Sequence, residues 1–351
     1  LTGGTIDLVA RTHLGNDGQE GGYGVINQSG GTFRVRNHDL VMGDGQSATN
    51  ENVNRYNISG GNLQVDHSLI IANWTNARAE MNVSGTGDVT AGWIGIGQGD
   101  VGNGVTTNGV LNMTGGRVRS NSDLSVGSGN NGSTATVNLK GGELDVQNGI
   151  FSGGGVFGTF NFTGGTLKVG NFDSTNLGGA LNQSSADSPS TLAAIDRNTT
   201  INGAYNVNNG TALVAAGRSI TPNGITTATG TVIVNSDGNF DASAGMNIGS
   251  GGAATVIKSG TGLLTIGGPQ NHATGSLLLV NNGTANINTN AGSTGPKLTV
   301  QANGATAKVN LNATQNLAAI SAQAGGQVNI AASAALHPPY APGNKYVTTK
   351  G

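Results

Sequence analysis

Few residues in this chain could do chemistry. Its 351 residues include 18 acidic, 16 basic and five histidine side chains, and no cysteine. Polysaccharide hydrolysis would need paired carboxylates, and lyase chemistry an aspartate group holding Ca2+ beside a basic residue. The acids whose positions invite attention are Asp39, Asp66 and Asp145, which follow glycine pairs at offsets of nine, six and four residues. Those offsets do not align on one face. His38-Asp39 and Asp66-His67 are adjacent pairs, and neighbours in a strand point to opposite faces. Such scatter argues against a catalytic centre. The expectation is a protein that is not an enzyme and uses no cofactor.

Three aspartates, Asp17, Asp44 and Asp100, sit in or beside Gly-rich turns. Carboxylate and carbonyl oxygens could ligate Ca2+ there. Asp is also a turn former in its own right, and the Gly-Gly-x-Gly-x-Asp repeat of calcium-binding β-rolls is missing from the sequence. These three are weak Ca2+ candidates. Trp74 and Trp93 could stack on sugars if exposed. With Phe33, Tyr56, Tyr23 and Phe151 nearby in the chain, packing into the core or corners is the stronger expectation. Gly153-Gly154-Gly155 is not a phosphate loop, because no Lys-Ser/Thr follows it. Asn57-Ile58-Ser59 and Asn112-Met113-Thr114 match the N-glycosylation pattern, but they arise from a repeat and are expected to be bare.

That repeat organises the chain. Glycine contributes 62 residues and asparagine 44, while only 10% of residues are charged and the net charge is -2. An ordinary globular enzyme carries about 25% charged residues. The glycines lack the strict every-third spacing of collagen. Short ordered runs of Val, Ile and Leu at near-zero net charge are not the pattern of a disordered chain. Near-neutral charge gives no electrostatic case for nucleic acid. No apolar run is long enough to span a membrane as a helix. Residue 1 is Leu, so an excerpt or a processed product is expected.

Paired glycines recur at Gly3-Gly4, Gly30-Gly31, Gly60-Gly61, Gly115-Gly116, Gly141-Gly142 and Gly164-Gly165, with Gly85-Thr86-Gly87 as a variant. The intervals are 27, 30, 25, 30, 26 and 23 residues. Three residues before each turn after the first stands an asparagine: Asn27, Asn57, Asn82, Asn112, Asn138 and Asn161. Apolar residues bracket each of them, except that Gln28 replaces one. After the turn come alternating apolar positions such as Phe33/Val35, Leu63/Val65 and Leu144/Val146. Alternation on both sides of a glycine turn marks two half-buried strands. Leu40–Met42, Ile94–Ile96 and Leu124–Val126 supply a third.

Three strands per coil describe an all-β parallel β-helix, in which each strand pairs with its copy in the next coil. If the apolar brackets face inward, the six asparagines face outward and stack as an amide ladder. Arg34/Arg36 and Arg117/Arg119 then share an outer face, read as a solvated edge that discourages aggregation. Evenly coiled, the chain would make roughly 13 coils and a rod on the order of 60 Å long. The regular coils are expected over 1–172, a loop or seam over 173–195, looser coils over 196–336 and an irregular exit over 337–351. Leu317–Ile320 could form a helical turn, although a buried strand fits better.

Residues 256–287 resemble the autotransporter-associated β-strand repeat. Val256-Ile257-Lys258-Ser259-Gly260-Thr261-Gly262-Leu263-Leu264-Thr265-Ile266 carries its Lys, Gly-x-Gly turn and Leu-rich strand. Asn281-Asn282-Gly283-Thr284-Ala285 carries its closing turn, with Ala285 where Leu is usual. The first half is similar to the Gly-Gly-Thr-Leu repeats of large secreted bacterial proteins, most clearly at Phe162-Thr163-Gly164-Gly165-Thr166-Leu167-Lys168-Val169. Both resemblances imply a parallel β-helix, secreted or on the cell surface of a bacterium with an outer membrane. They imply no catalytic residues. The resulting expectation is a stiff structural solenoid that self-associates into a fibre or continues in a longer chain. The rival readings are an adhesin that binds surface glycans and a polysaccharide-degrading enzyme.

Overall fold

Alternating side chains and sharp glycine corners leave the backbone one way to satisfy its hydrogen bonds, by pairing each strand with the next coil. The computed structural model describes residues 1–15, 23–43, 53–73, 77–98, 107–127, 133–153 and 158–336. Among them are 32 strands and no helix, and the registered pairings are parallel. The fold is a β-solenoid of about 12 turns, against the roughly 13 coils read from the repeat.

The chain divides into two compact units. One comprises Leu1–Leu181 with Ala186–Ser190, the other Asn182–Ser185 with Thr191–Gly351. Strands Ala180–Ser184 and Ser190–Ala194 lie within 173–195. Leu317 is buried and the strand beside it is Ala319–Gln323. The proposed exit segment, 337–351, lies outside the described residues.

In the first unit each coil offers three strand positions. Asn54–Ile58, Thr32–Val35 and Leu40–Met42 are one example of each, and Asn62–Ile71 runs through the second and third. Their inward residues stack in register, as in Phe33–Leu63–Val89–Val118–Leu144–Leu167. All six are buried, five of them completely. Each such side chain contributes about 1.5–3 kcal/mol through burial. In the second unit the stack Phe240–Leu264–Ala285–Val309 is likewise buried, with the small Ala285 contributing less than its neighbours.

The glycine corners carry two separate constraints. Gly61 has φ 79°, a left-handed conformation that costs any residue with a Cβ. Gly60 fails for a different reason: a Cβ there would lie 2.6 Å from the Ser29 carbonyl oxygen of the coil below. Gly61 carries both constraints, because a Cβ there would also lie 2.4 Å from the Gly31 carbonyl oxygen, whereas at Gly60 the close approach alone requires glycine. Positive φ likewise marks the second glycine of the other pairs, Gly4, Gly31, Gly116, Gly142 and Gly165. In the first glycines Gly30, Gly115, Gly141 and Gly164, an added Cβ would again meet backbone of another coil at 2.9 Å or less.

Gln28, the exception in its apolar bracket, is buried inside the coil. Its amide donates to the carbonyls of Gly31 at 3.1 Å and Asn62 at 3.0 Å, and its oxygen accepts from the Tyr56 hydroxyl at 2.6 Å. Burial pushes the Tyr56 hydroxyl pKa up, so it stays a donor. The ring packs edge-on against Phe33 at 6.0 Å. The second unit repeats the device. Gln183 donates to the Thr211 carbonyl at 3.1 Å and accepts from Tyr205, whose ring faces Phe240. A buried polar group is tolerated when its hydrogen bonds are made. Tyr56→Phe keeps the ring and strands the Gln28 oxygen. The expected loss is about 1–3 kcal/mol in chemical denaturation, with the circular-dichroism spectrum unchanged.

Candidate functional site

The outward side chains of the first unit form ladders along the coil axis. Asn57 donates to Asn27 at 2.7 Å, Asn82 to Asn57 at 2.8 Å, Asn112 to Asn82 at 2.9 Å, Asn138 to Asn112 at 2.8 Å and Asn161 to Asn138 at 2.8 Å. Each Nδ2 reaches the Oδ1 of the rung below. The in-register pairing Asn27–Asn57–Asn82–Asn112–Asn138–Asn161 makes this possible, because successive strands lie about 4.8 Å apart. At Asn57 and Asn112 the nitrogen that would carry a glycan is the one donating within the ladder.

Charged columns run beside it. In one, Asp88, Arg117 and Glu143 follow each other in register; in the other, Arg119, Asp145 and Lys168 do. Arg117 grips Asp88 with two hydrogen bonds, at 3.1 and 2.8 Å, and these hold its pKa above the ordinary value despite opposing burial. Lys168 meets Glu143 at 2.8 Å. Arg34 lies 3.4 Å from Asp66, and Arg36 bonds Asp7. The arginines read as a solvated edge are thus paired with acids of neighbouring coils. Each exposed pair is worth no more than about 1 kcal/mol. Their larger effect is to keep like charges from stacking.

The three singled-out acids do not converge. Asp39 accepts the Ser68 N–H at 3.0 Å, Asp66 faces Arg34 and the Asn37 N–H, and Asp145 is buried 3.9 Å from Arg119. His38 and His67 are exposed. No cluster of three metal-ligating side chains occurs among the described residues. The Ca2+ candidates Asp17, Asp44 and Asp100, and Trp74 with them, lie outside the described residues. Trp93 is half-buried, with its ring against Gly95. No helix among the described residues is long and apolar enough to cross a membrane.

One recess opens on the first unit, lined by Gln64, Val65, Asp66, Thr90 and Asn121. Its middle coil carries Gly92, where a Cβ would lie 2.7 Å from the carbonyl oxygens of both Asp66 and His67. The register shifts there, so that two residues of one coil oppose one of the next.

The second unit holds features that the repeat pattern did not reveal. Asn310 donates to Asn286 and Asn329 to Asn310, both at 2.8 Å, while Asn312 donates to Asn288 at 2.7 Å. Intervals of 24 and 19 residues hid this ladder. Lys258 is fully buried. Its ammonium donates to the carbonyls of Ser259 at 2.7 Å, Gly260 at 2.8 Å, Ser236 at 3.2 Å and Asn282 at 3.3 Å. Burial pushes its pKa down to about 8, with Asp237 pulling the other way. The cage ties together three successive coils at one corner. In the alternation Val256–Lys258 the lysine holds an inward position, which was the sequence signal for its burial.

His272 is buried too. Its Nδ1 accepts the Ile248 N–H at 3.0 Å, and its Nε2 lies 3.1 Å from the Gln270 side-chain oxygen. That pairing assigns the proton to Nε2. Burial, and then the charge of Lys297, pushes its pKa down to about 4.

Compared with known proteins, the chain matches no family, no curated protein and no solved structure. The family resemblance therefore stands on its repeats, and the β-solenoid is the part of it that the structure carries.

Two outcomes follow. Asn82→Asp cannot donate to Asn57 and sets a carboxylate against its oxygen. It should lose about 1–3 kcal/mol at neutral pH. Part of that loss should return as pH falls towards about 3.9, because the repulsion raises the folded-state pKa above that unfolded value and the protonated acid can donate. For His272 the folded pKa lies below the unfolded one. The unfolded chain therefore binds the proton first, and stability falls as pH drops from 6.5 to about 4. At 1.36 kcal/mol per unit the full loss is about 3 kcal/mol. His272→Asn keeps an acceptor that does not titrate, and denaturation midpoints over this range should flatten.

Proposed function

We propose that the chain is a non-enzymatic structural protein, a stiff β-solenoid that works outside the cell or on its surface. The observation that carries this reading is the side-chain ladder laid over a continuous parallel main-chain ladder. In the first unit an amide row and self-neutralised charge columns share the outer surface. Such faces resist local opening, because freeing one coil breaks rungs on both sides. The buried ionisable groups with displaced pKa values support it as well. Tyr56, Tyr205, Lys258 and His272 are buried in structural networks, and none lines the recess.

The extracellular setting rests on the repeat resemblance at 256–287 and in the first half of the chain. A load-transmitting role includes self-association into a fibre, or membership of a longer chain. The second reading, adhesion through a lateral face, is favoured by the recess at Gln64, Thr90 and Asn121.

Limited proteolysis and negative-stain electron microscopy test the proposal together. The expected result is a protease-resistant particle covering most of the chain, at concentrations from about 0.1 to 10 µM, with filaments appearing at the upper end if self-association is its mode of action. Rapid digestion into small peptides without a resistant intermediate would sink the structural reading.

A further inference from the structure

The recess between Asp66 and Asn121 differs chemically from the surface around it. Along its column the register runs Arg34–Gln64–Thr90–Arg119. The two ends are occupied: Arg34 faces Asp66, and Arg119 faces Asp145. The two middle residues are not. Among the described residues the side chains of Gln64, Thr90 and Asn121 have no hydrogen-bond partner, although the neighbouring asparagine row is joined rung to rung.

The shape follows from Gly92. Asp66 and Asn121 stand two coils apart, about 10 Å at the usual strand spacing. The coil between them contributes no side chain at this position. The carbonyls of Asp66 and His67 close off any Cβ there, so the floor is bare backbone. Gln64 and Thr90 form the back wall. Backbone packing thus keeps residue 92 from placing a side chain in the notch.

The polarity points to a class of ligand. Two amides and a hydroxyl both donate and accept. Asp66 accepts only, and its charge is already met by Arg34 at 3.4 Å and the Asn37 N–H at 3.2 Å. A cation would compete with Arg34, and an anion would meet the Asp66 carboxylate. Vicinal hydroxyls on an uncharged ring supply donors and acceptors at once, and they fit a preformed polar recess. From this geometry we propose that the Gln64–Thr90–Asn121 notch binds a neutral saccharide, with Asp66 accepting from one ring hydroxyl and the two amides bridging others.

The test is calorimetric titration of the whole chain with maltohexaose, cellohexaose, xylohexaose and a galacturonate hexamer. At least one neutral hexamer is expected to bind saturably at millimolar concentration or below. Gln64→Ala/Asn121→Ala should weaken it by at least about tenfold, the scale of two lost hydrogen bonds. The melting temperature should be unchanged, since neither side chain has a hydrogen-bond partner among the described residues. Thr90→Tyr, which fills the notch, should abolish binding. Three results would each overturn the proposal: no saturation by any neutral hexamer, affinity unchanged in the double variant, or preference for the galacturonate hexamer. An inert scaffold would fail this titration and still resist protease, so the two readings are separable.

Discussion

Everything in this fold depends on parallel, in-register stacking of one coil on the next. The stacking pairs backbone with backbone, and it also sets each side chain over its counterpart about 4.8 Å away. A residue's partner is therefore its own equivalent, and each position must tolerate self-contact. Leu over Val suits the inside, as in Leu63 and Val89. On the outside, amide over amide satisfies a donor and an acceptor in a single repeat, whereas carboxylate over carboxylate would repel. That is the physical reason why asparagine is abundant, and why Asp88 lies between Asn62 and Arg117.

The same rule explains the buried polar groups. A solenoid core is thin, so a corner brings main-chain carbonyls close to the interior. The Lys258 ammonium collects four of them, and Gln28 and Gln315 collect two each. These side chains work as internal struts. They are stable because their donors have nowhere better to go, and they are costly to replace because the carbonyls would be left unpaired.

Much of this was legible in the residues themselves. The spacing of Gly60-Gly61 from Asn57 and Leu63 contains the turn, the outward amide and the inward leucine. The ladder Asn27–Asn161 could be written down before any coordinates. Gln28 was visible as a polar intruder among apolar brackets, but its partner Tyr56, in the next coil, is identified only once the register is known. The ladder Asn286–Asn310–Asn329 was hidden because unequal corners between its strands blurred the period. The pairing of Arg117 with Asp88 was missed for a related reason: alternation tells which face a side chain takes, not which charge lies above it. The notch is the least legible feature. It arises from one glycine, Gly92, outside the repeat signature, and from the bulge opposite it.

The two kinds of outer ladder differ in what they permit the gene to do. An amide row does not record how many rungs it has: delete a coil, and Asn82 would meet Asn138 as readily as it meets Asn112. The charge columns do keep count. Without the coil bearing Arg117 and Arg119, Asp88 would abut Glu143; without the one bearing Glu143 and Asp145, Arg119 would abut Lys168. Signs that alternate from coil to coil act as a parity check on duplication and loss. This stretch of the first unit can therefore shed or gain coils in pairs more easily than singly, while the asparagine row beside it accepts any number.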